Sequence, residues 1–188
     1  MAKQFARMLP EHVTFIEQQR LFFTASAAPD GRVNVSPKGL DTLRVLDDAT
    51  VAYLDLTGSG NESAAHLRVS PRFTLMFCAF EGAPLVLRLY GVGRVLRPGT
   101  PEFDRRAAHF TMLPGARQII EVRVELVQTS CGFGVPVMTF QEDRTALTRQ
   151  AEAWGPDGLT DYWRRKNVRS IDGLPTGLFR EDEATETP

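Results

Sequence analysis

The stretch YLDLTGSGNESAAHLRVSP, residues 53–71, decides how this chain is read. It starts as an apolar strand, passes through a small polar loop and opens a short helix. Thr57, Ser59, Asn61 and Ser63 offer hydroxyl and amide groups. Gly58 and Gly60 let the backbone approach a ligand with no Cβ in the way. Asn61 or Ser59 is placed to cap the helix, whose first N–H groups lack intrahelical partners. Such an end suits an anion, most often a phosphate. An ordinary capped strand-to-helix turn has the same composition, so the loop takes its meaning from what surrounds it.

Upstream, residues 10–19 carry Val13 and Ile16 at helical spacing. Two strands, 21–27 and 32–37, flank the turn Pro29-Asp30-Gly31, in which Pro fixes φ and Gly accepts the left-handed conformation. Segments 42–46 and 50–56 form a second pair across Asp47-Asp48-Ala49. Downstream, 72–80 and 85–97 are apolar strands, and Gly91 and Gly93 mark a bend or bulge in the longer one. Thr100-Pro101-Glu102 starts a helix, with a capping hydroxyl and Pro at the first helical position. Ile120, Val122, Val124 and Leu126 alternate with Glu121, Arg123 and Glu125 as a half-buried strand. Segments 144–154 and 159–167 are helical by composition, separated by Gly155-Pro156-Asp157-Gly158. These tight connections predict a mainly β fold: an antiparallel barrel of about six strands with peripheral helices. One domain is expected over 1–178, with a C-terminal helical extension at about 144–178 and an acidic, disordered tail at 179–188.

The 188 residues are 43% hydrophobic and 24% charged, with a net charge of −1. That balance gives nucleic acid no basic patch to meet, and no apolar run approaches the length of roughly 20 residues that spans a membrane. Two cysteines, Cys78 and Cys131, make no disulfide scaffold, so a reduced, cytoplasmic setting is expected. The three histidines, His12, His66 and His109, stand in no metal-ligand spacing. Nucleophile-elbow and phosphate-loop patterns are absent from the sequence. Four features remain as candidate chemistry: the loop at 57–63; Asn34-Val35-Ser36-Pro37-Lys38, ending a strand on a cation; Arg88 and Arg94 on the long strand; and Cys131-Gly132-Phe133-Gly134. The Cys131 thiol is expected to be a small buried group, since nothing beside it lowers its pKa.

Over residues 15–136 the order of these features resembles the flavin-binding split-barrel proteins related to pyridoxamine 5′-phosphate oxidase. The resemblance rests on Val35-Ser36-Pro37-Lys38-Gly39, on Leu56-Thr57 with the polar loop to Ser63, and on the helix that ends at Pro71 before residues 73–77. Ser170-Ile171-Asp172-Gly173-Leu174-Pro175 also looks like a closing motif of one branch. The resemblance implies a six-stranded antiparallel Greek-key split β-barrel and a homodimer with FMN in a groove between the subunits. By position, Val35 and Ser36 would lie along the isoalloxazine ring, Lys38 would reach its edge, and Leu56 and Thr57 would touch the flavin. Asn61, Glu62 and Ser63 fall where the oxidase, with Ser-Arg-Lys, binds the phosphate. Two cations are therefore missing, and a phosphate carrying about −1.5 to −2 charge needs an arginine from elsewhere. Arg88 is nominated first and Arg94 second. The oxidase's C-terminal arginine motif for the vitamin phosphate has no counterpart after Val137. The resemblance thus implies an FMN-dependent oxidoreductase acting on a small molecule other than the oxidase's own, with no acid–base pair singled out. A non-catalytic flavin or haem carrier and a deazaflavin-dependent reductase on the same barrel are the alternatives.

Overall fold

The apolar runs of the sequence form eight strands and four helices within residues 2–179, the part of the chain that the computed structural model describes. In order these are β1 (Lys3–Phe5), α1 (Pro10–Gln18), β2 (Phe22–Ser26), β3 (Asn34–Lys38), β4 (Leu43–Asp47), β5 (Thr50–Leu56), α2 (Glu62–Leu67), β6 (Arg72–Cys78), β7 (Val86–Leu96), α3 (Pro101–Ala107), β8 (Ala116–Ser130) and α4 (Ala146–Lys166). All the strands pair antiparallel in the order β3-β2-β6-β7-β8-β5-β4, with β1 added to β8. The sheet curls into a half-barrel with β3 and β4 as its edges, which is the split barrel the sequence predicts. Eight strands form where six were expected. β1, at three residues, is too short to show an alternation, and the other seven belong to one continuous sheet.

The curl divides the core in two. Val51 and Tyr53 of β5 join Phe73, Leu75, Leu87, Leu89, Ile120 and Val122 on one side. Ala52, Leu54 and Leu56 point to the opposite face, where Leu96, Phe103, Phe110 and Ile119 cover them. Because successive side chains alternate faces, β5 is buried along almost its whole length. At Gly91 the β7–β8 register shifts, and a Cβ there would run into the Arg123 carbonyl. The glycine therefore marks a bulge, as its place in the sequence suggests.

α4 is two helical pieces joined at Gly155, whose φ of 63° and ψ of −177° break the helix ahead of Pro156. The Trp163 indole N–H donates to Thr57 Oγ1 at 2.8 Å, fixing the second piece to the loop after β5. Beyond α4 the chain has little regular structure, but its own hydrogen bonds hold it: Thr176 N–H to the Val168 carbonyl, Thr176 Oγ1 to the Asn167 carbonyl, and Leu174 N–H to Ser170 Oγ. Residues 180–188, most of the tail expected to be disordered, lie outside the described residues.

Candidate functional site

The C-terminal end of β5, the loop after it, the edge strand β3 and the segment after α4 enclose a cleft of about 770 Å³. That volume lies within the ~300–1,000 Å³ usual for small-molecule sites. Of the ten residues singled out from the sequence, seven line it: Val35, Ser36, Lys38, Leu56, Asn61, Glu62 and Ser63. β3 brings the first three, because its alternation turns Ser36 and Lys38 partly inward while Val35 stays 62% exposed.

The floor is a buried ionic network. Lys38 Nζ lies 2.9 Å from Asp55 Oδ1, and Arg117 Nε lies 3.0 Å from Asp55 Oδ2. Gln118 Nε2 donates to the same Oδ2 at 2.8 Å and to Asn61 Oδ1 at 2.8 Å. Burial alone would raise the Asp55 carboxyl. Arg117, then Lys38 and the hydrogen bonds from Lys38 and Gln118, hold it well below the usual carboxylate range instead. Asp55 is therefore ionised.

Arg117 arrives through an irregularity. Asp55 pairs with Gln118 and Leu56 with Ala116, which leaves Arg117 as the extra residue of a bulge on β8. A bulge re-aims a side chain that strict alternation would send to the other face. Arg117 Nη1 donates to the Gly60 carbonyl at 3.0 Å and to Asn167 Oδ1 at 2.6 Å. Three of its five N–H donors are spent on Asp55, Gly60 and Asn167. The two on Nη2 have no hydrogen-bond partner among the described residues, although the side chain is only 4% exposed.

Other groups on the lining are in a similar state. Asn61 sits at the N-cap position of α2 but makes no side-chain cap; its Oδ1 accepts from Gln118, and its Nδ2 is buried without a partner. The expected cap is thus replaced by a tie to β8, and Ser59 does not supply one either. Ser63 Oγ accepts from Asn34 Nδ2 at 3.3 Å, and Ser36 Oγ donates to Asn34 Oδ1 at 3.2 Å. Glu62 turns its carboxylate to the Ile171 N–H, at 3.1 Å from both oxygens. A neighbouring aromatic phenol, Tyr53, has Ser63 and Thr24 as polar neighbours, yet its hydroxyl reaches neither at hydrogen-bond geometry. Gly58 is not in the left-handed region, and a Cβ there would meet nothing closer than 3.8 Å. No contact inside the chain calls for glycine at that position.

The sequence reading did not locate the cations of the rim. Arg32, Lys166 and Arg169 line the cleft and are exposed. Arg32 pairs with Asp172, and Arg169 Nη1 donates to the Gly173 carbonyl at 2.9 Å. Lys166 makes no ion pair among the described residues. Ser170 and Ile171 of the closing segment line the cleft as well, where Ile171 is 71% exposed and Val33 69%.

Three of the ten residues are not brought to the cleft of their own chain. Thr57 is 4% exposed, and its hydroxyl is occupied by the Gly115 carbonyl at 2.7 Å and by Trp163. It holds loop to helix. Arg88 reaches Ser130 Oγ at 3.4 Å, and Arg94 pairs with Glu121, which also takes Arg106. Both are cross-strand partners of β8 side chains, the usual fate of a strand arginine. Cys131 is exposed, against the expectation of burial, and its segment does not line the cleft either.

The arrangement sets Arg117 against the 58–63 loop at one part of the cleft, and Leu56, Val33, Val35 and Ile171 add apolar lining. A family model described as pyridoxamine 5′-phosphate oxidase matches residues 8–131. The pyridoxamine 5′-phosphate oxidase family protein ustO of Aspergillus flavus is 40% identical over 176 residues, 84% of this chain and 71% of its own. Among solved structures, a single-residue variant of HupZ from Group A Streptococcus superposes with a TM-score of 0.53 at 18% identity, covering 65% of this chain and 99% of its own. A Lactobacillus delbrueckii protein named after the same oxidase gives 0.52 at 17% identity, covering 65% and 94%. At these identities the structural likeness is one of fold.

Proposed function

This chain belongs to the pyridoxamine 5′-phosphate oxidase family, and from that membership we propose that its cleft binds FMN and that the protein is a flavin-dependent oxidoreductase acting on a small molecule. The observation that carries the reading is Arg117: a buried, always-charged side chain with two donors left over, set against a loop of small polar residues. It supplies the cation that the loop sequence lacks and takes the role first given to Arg88. The unpartnered Asn61 Nδ2 and the hydroxyls of Ser59 and Ser63 complete an acceptor-hungry end suited to a phosphate. Glu62, the one acid of that loop, is turned to a backbone N–H and needs no partner from the ligand.

Val35 and Ser36 would flank the ring, with Lys38 at its edge. Bound FMN would supply the two-electron redox chemistry. The chain's own contribution is positional and electrostatic. Asp55 orients Lys38, so a fixed ammonium faces any negative charge that develops at the ring edge. Leu56 and the valines keep water from that flank. β3 is a sheet edge with Val33 and Val35 exposed beside the cleft, and a second copy of the chain covering it would complete a groove between subunits. Cys78 and Cys131 are both free thiols, which suits a reducing, cytoplasmic setting.

A second reading draws on the rim. Arg32, Lys166 and Arg169 place at the cleft the cationic charge that the long acidic tail of a deazaflavin cofactor would want. The test is the visible spectrum of the purified protein, with thermal melting in the presence of FMN, a deazaflavin or haem. Flavin absorption and stabilisation by FMN support the first reading, because a ligand that binds only the folded state raises its melting temperature. Stabilisation by the deazaflavin alone transfers the site to the second reading, and by haem alone to a haem carrier. Reduction of the bound flavin by NADH or NADPH then separates an enzyme from a carrier.

A further inference from the structure

The side chain that holds Arg117 from behind comes from outside the part of the chain matched by the family model, which ends at residue 131. Asn167 closes α4 and is fully buried. Its Oδ1 accepts from Arg117 Nη1 at 2.6 Å, and its Nδ2 donates to the Gly58 carbonyl at 3.1 Å. An arginine only donates and a carbonyl only accepts, so both ends of the amide are fixed by their partners. The main chain of Asn167 is held as firmly: its N–H goes to the Trp163 carbonyl and its C=O to Thr176 Oγ1.

We propose that Asn167 is a positioning residue for anion recognition in this cleft: it clamps Arg117 and the 58–60 loop in one geometry, so the C-terminal extension sets the preference for a phosphorylated flavin. The inference rests on the flavin reading above. Without the clamp, Nη1 of Arg117 has a donor to satisfy, and only Asp55 and Gly60 hold the guanidinium. With the clamp, Asp55, Gly60 and Asn167 occupy three donors, and the two on Nη2 are left for a ligand. Asparagine does this without adding charge. An aspartate would keep the acceptor but neutralise the arginine.

The test compares FMN with riboflavin, which lacks the phosphate, as titrants of the full-length protein, with melting temperature recorded alongside. The unaltered protein is expected to favour FMN. Asn167→Asp, which sets a second carboxylate against Arg117, is expected to weaken FMN by roughly ten- to a hundredfold through the added negative charge, while riboflavin affinity stays nearly constant. Should the carboxylate against the Gly58 carbonyl prevent folding, Asn167→Ala is measured alone and in an Arg117→Gln background. A side chain that acts through Arg117 loses its effect on FMN discrimination in that background. Equal losses for both flavins, or an Asn167→Ala effect that persists without Arg117, would assign Asn167 a structural role only and overturn the proposal. An unaltered protein that binds neither flavin overturns the reading of the cleft, and this inference with it.

Discussion

Arg117 donates through Nε to the Asp55 carboxylate at 3.0 Å, and neither side chain is more than 4% exposed. Lys38 approaches the other carboxylate oxygen, so one buried acid holds two cations at the floor of the cleft. Breaking such a pair from one side leaves an uncompensated charge. Arg117→Met keeps the apolar bulk, and Asp55 retains Lys38 and Gln118. The cost in urea unfolding is therefore expected at the low end of the range for buried pairs, about 3 kcal/mol.

The same carboxylate gives the protein a defined acid response. Its folded-state pKa lies below the ordinary value, so the unfolded chain takes up the proton first as the pH falls. The stability it contributes is complete above about pH 5 and is lost as the pH drops through the unfolded value of about 3.9 toward the folded one. Asp41 and Asp172, also lowered by their arginine partners, add in the same direction. Urea midpoints measured from about pH 7 down to about pH 3 should fall for the unaltered protein and fall less steeply for Asp55→Asn.

Trp163 links the helical extension to the barrel through one hydrogen bond to Thr57. Trp163→Phe keeps a six-membered ring and removes the donor with the five-membered one, while Thr57 still donates to the Gly115 carbonyl. A loss of about 1 kcal/mol is expected, read as a fall of roughly 2–4 °C in melting temperature for a chain of this length.

Gly91 leaves no room for a methyl group, because its Cβ would overlap the Arg123 carbonyl across the strand. Gly91→Ala should destabilise by at least about 2 kcal/mol through displaced backbone. Gly82→Ala is a control with open space but positive φ, and should cost about 1 kcal/mol through backbone strain alone.

Most of the fold was legible in the sequence because alternation and turn chemistry are local signals. β5 falls where the apolar run places it, and β8 extends the alternating segment around Val122 and Val124. The 58–63 loop could be assigned to the cleft because it joins a strand end to a helix start, which regular geometry positions, and the family resemblance added Ser36 and Lys38 of β3. Arg117 could not. It occupies a bulge that only the pairing of β5 with β8 reveals, three residues before the clean alternation begins. Asn167 and Arg169 were hidden for a different reason: the chain after α4 is placed by single hydrogen bonds rather than by a period. Arg88 and Arg94 attracted attention as strand arginines, and the neighbouring strand supplies their partners. Thr57 had the right chemistry for a ligand, but two partners inside the chain take up its hydroxyl.

The central claim is that Arg117, at the 58–63 loop, anchors the phosphate of a bound flavin. Titrating the purified protein with FMN, following flavin fluorescence, and repeating the titration with Arg117→Met tests it most directly. Saturable binding by the unaltered protein, weakened by roughly ten- to a hundredfold in the variant, is the predicted result. Absence of FMN binding by the unaltered protein, or equal affinity in the two, would contradict it.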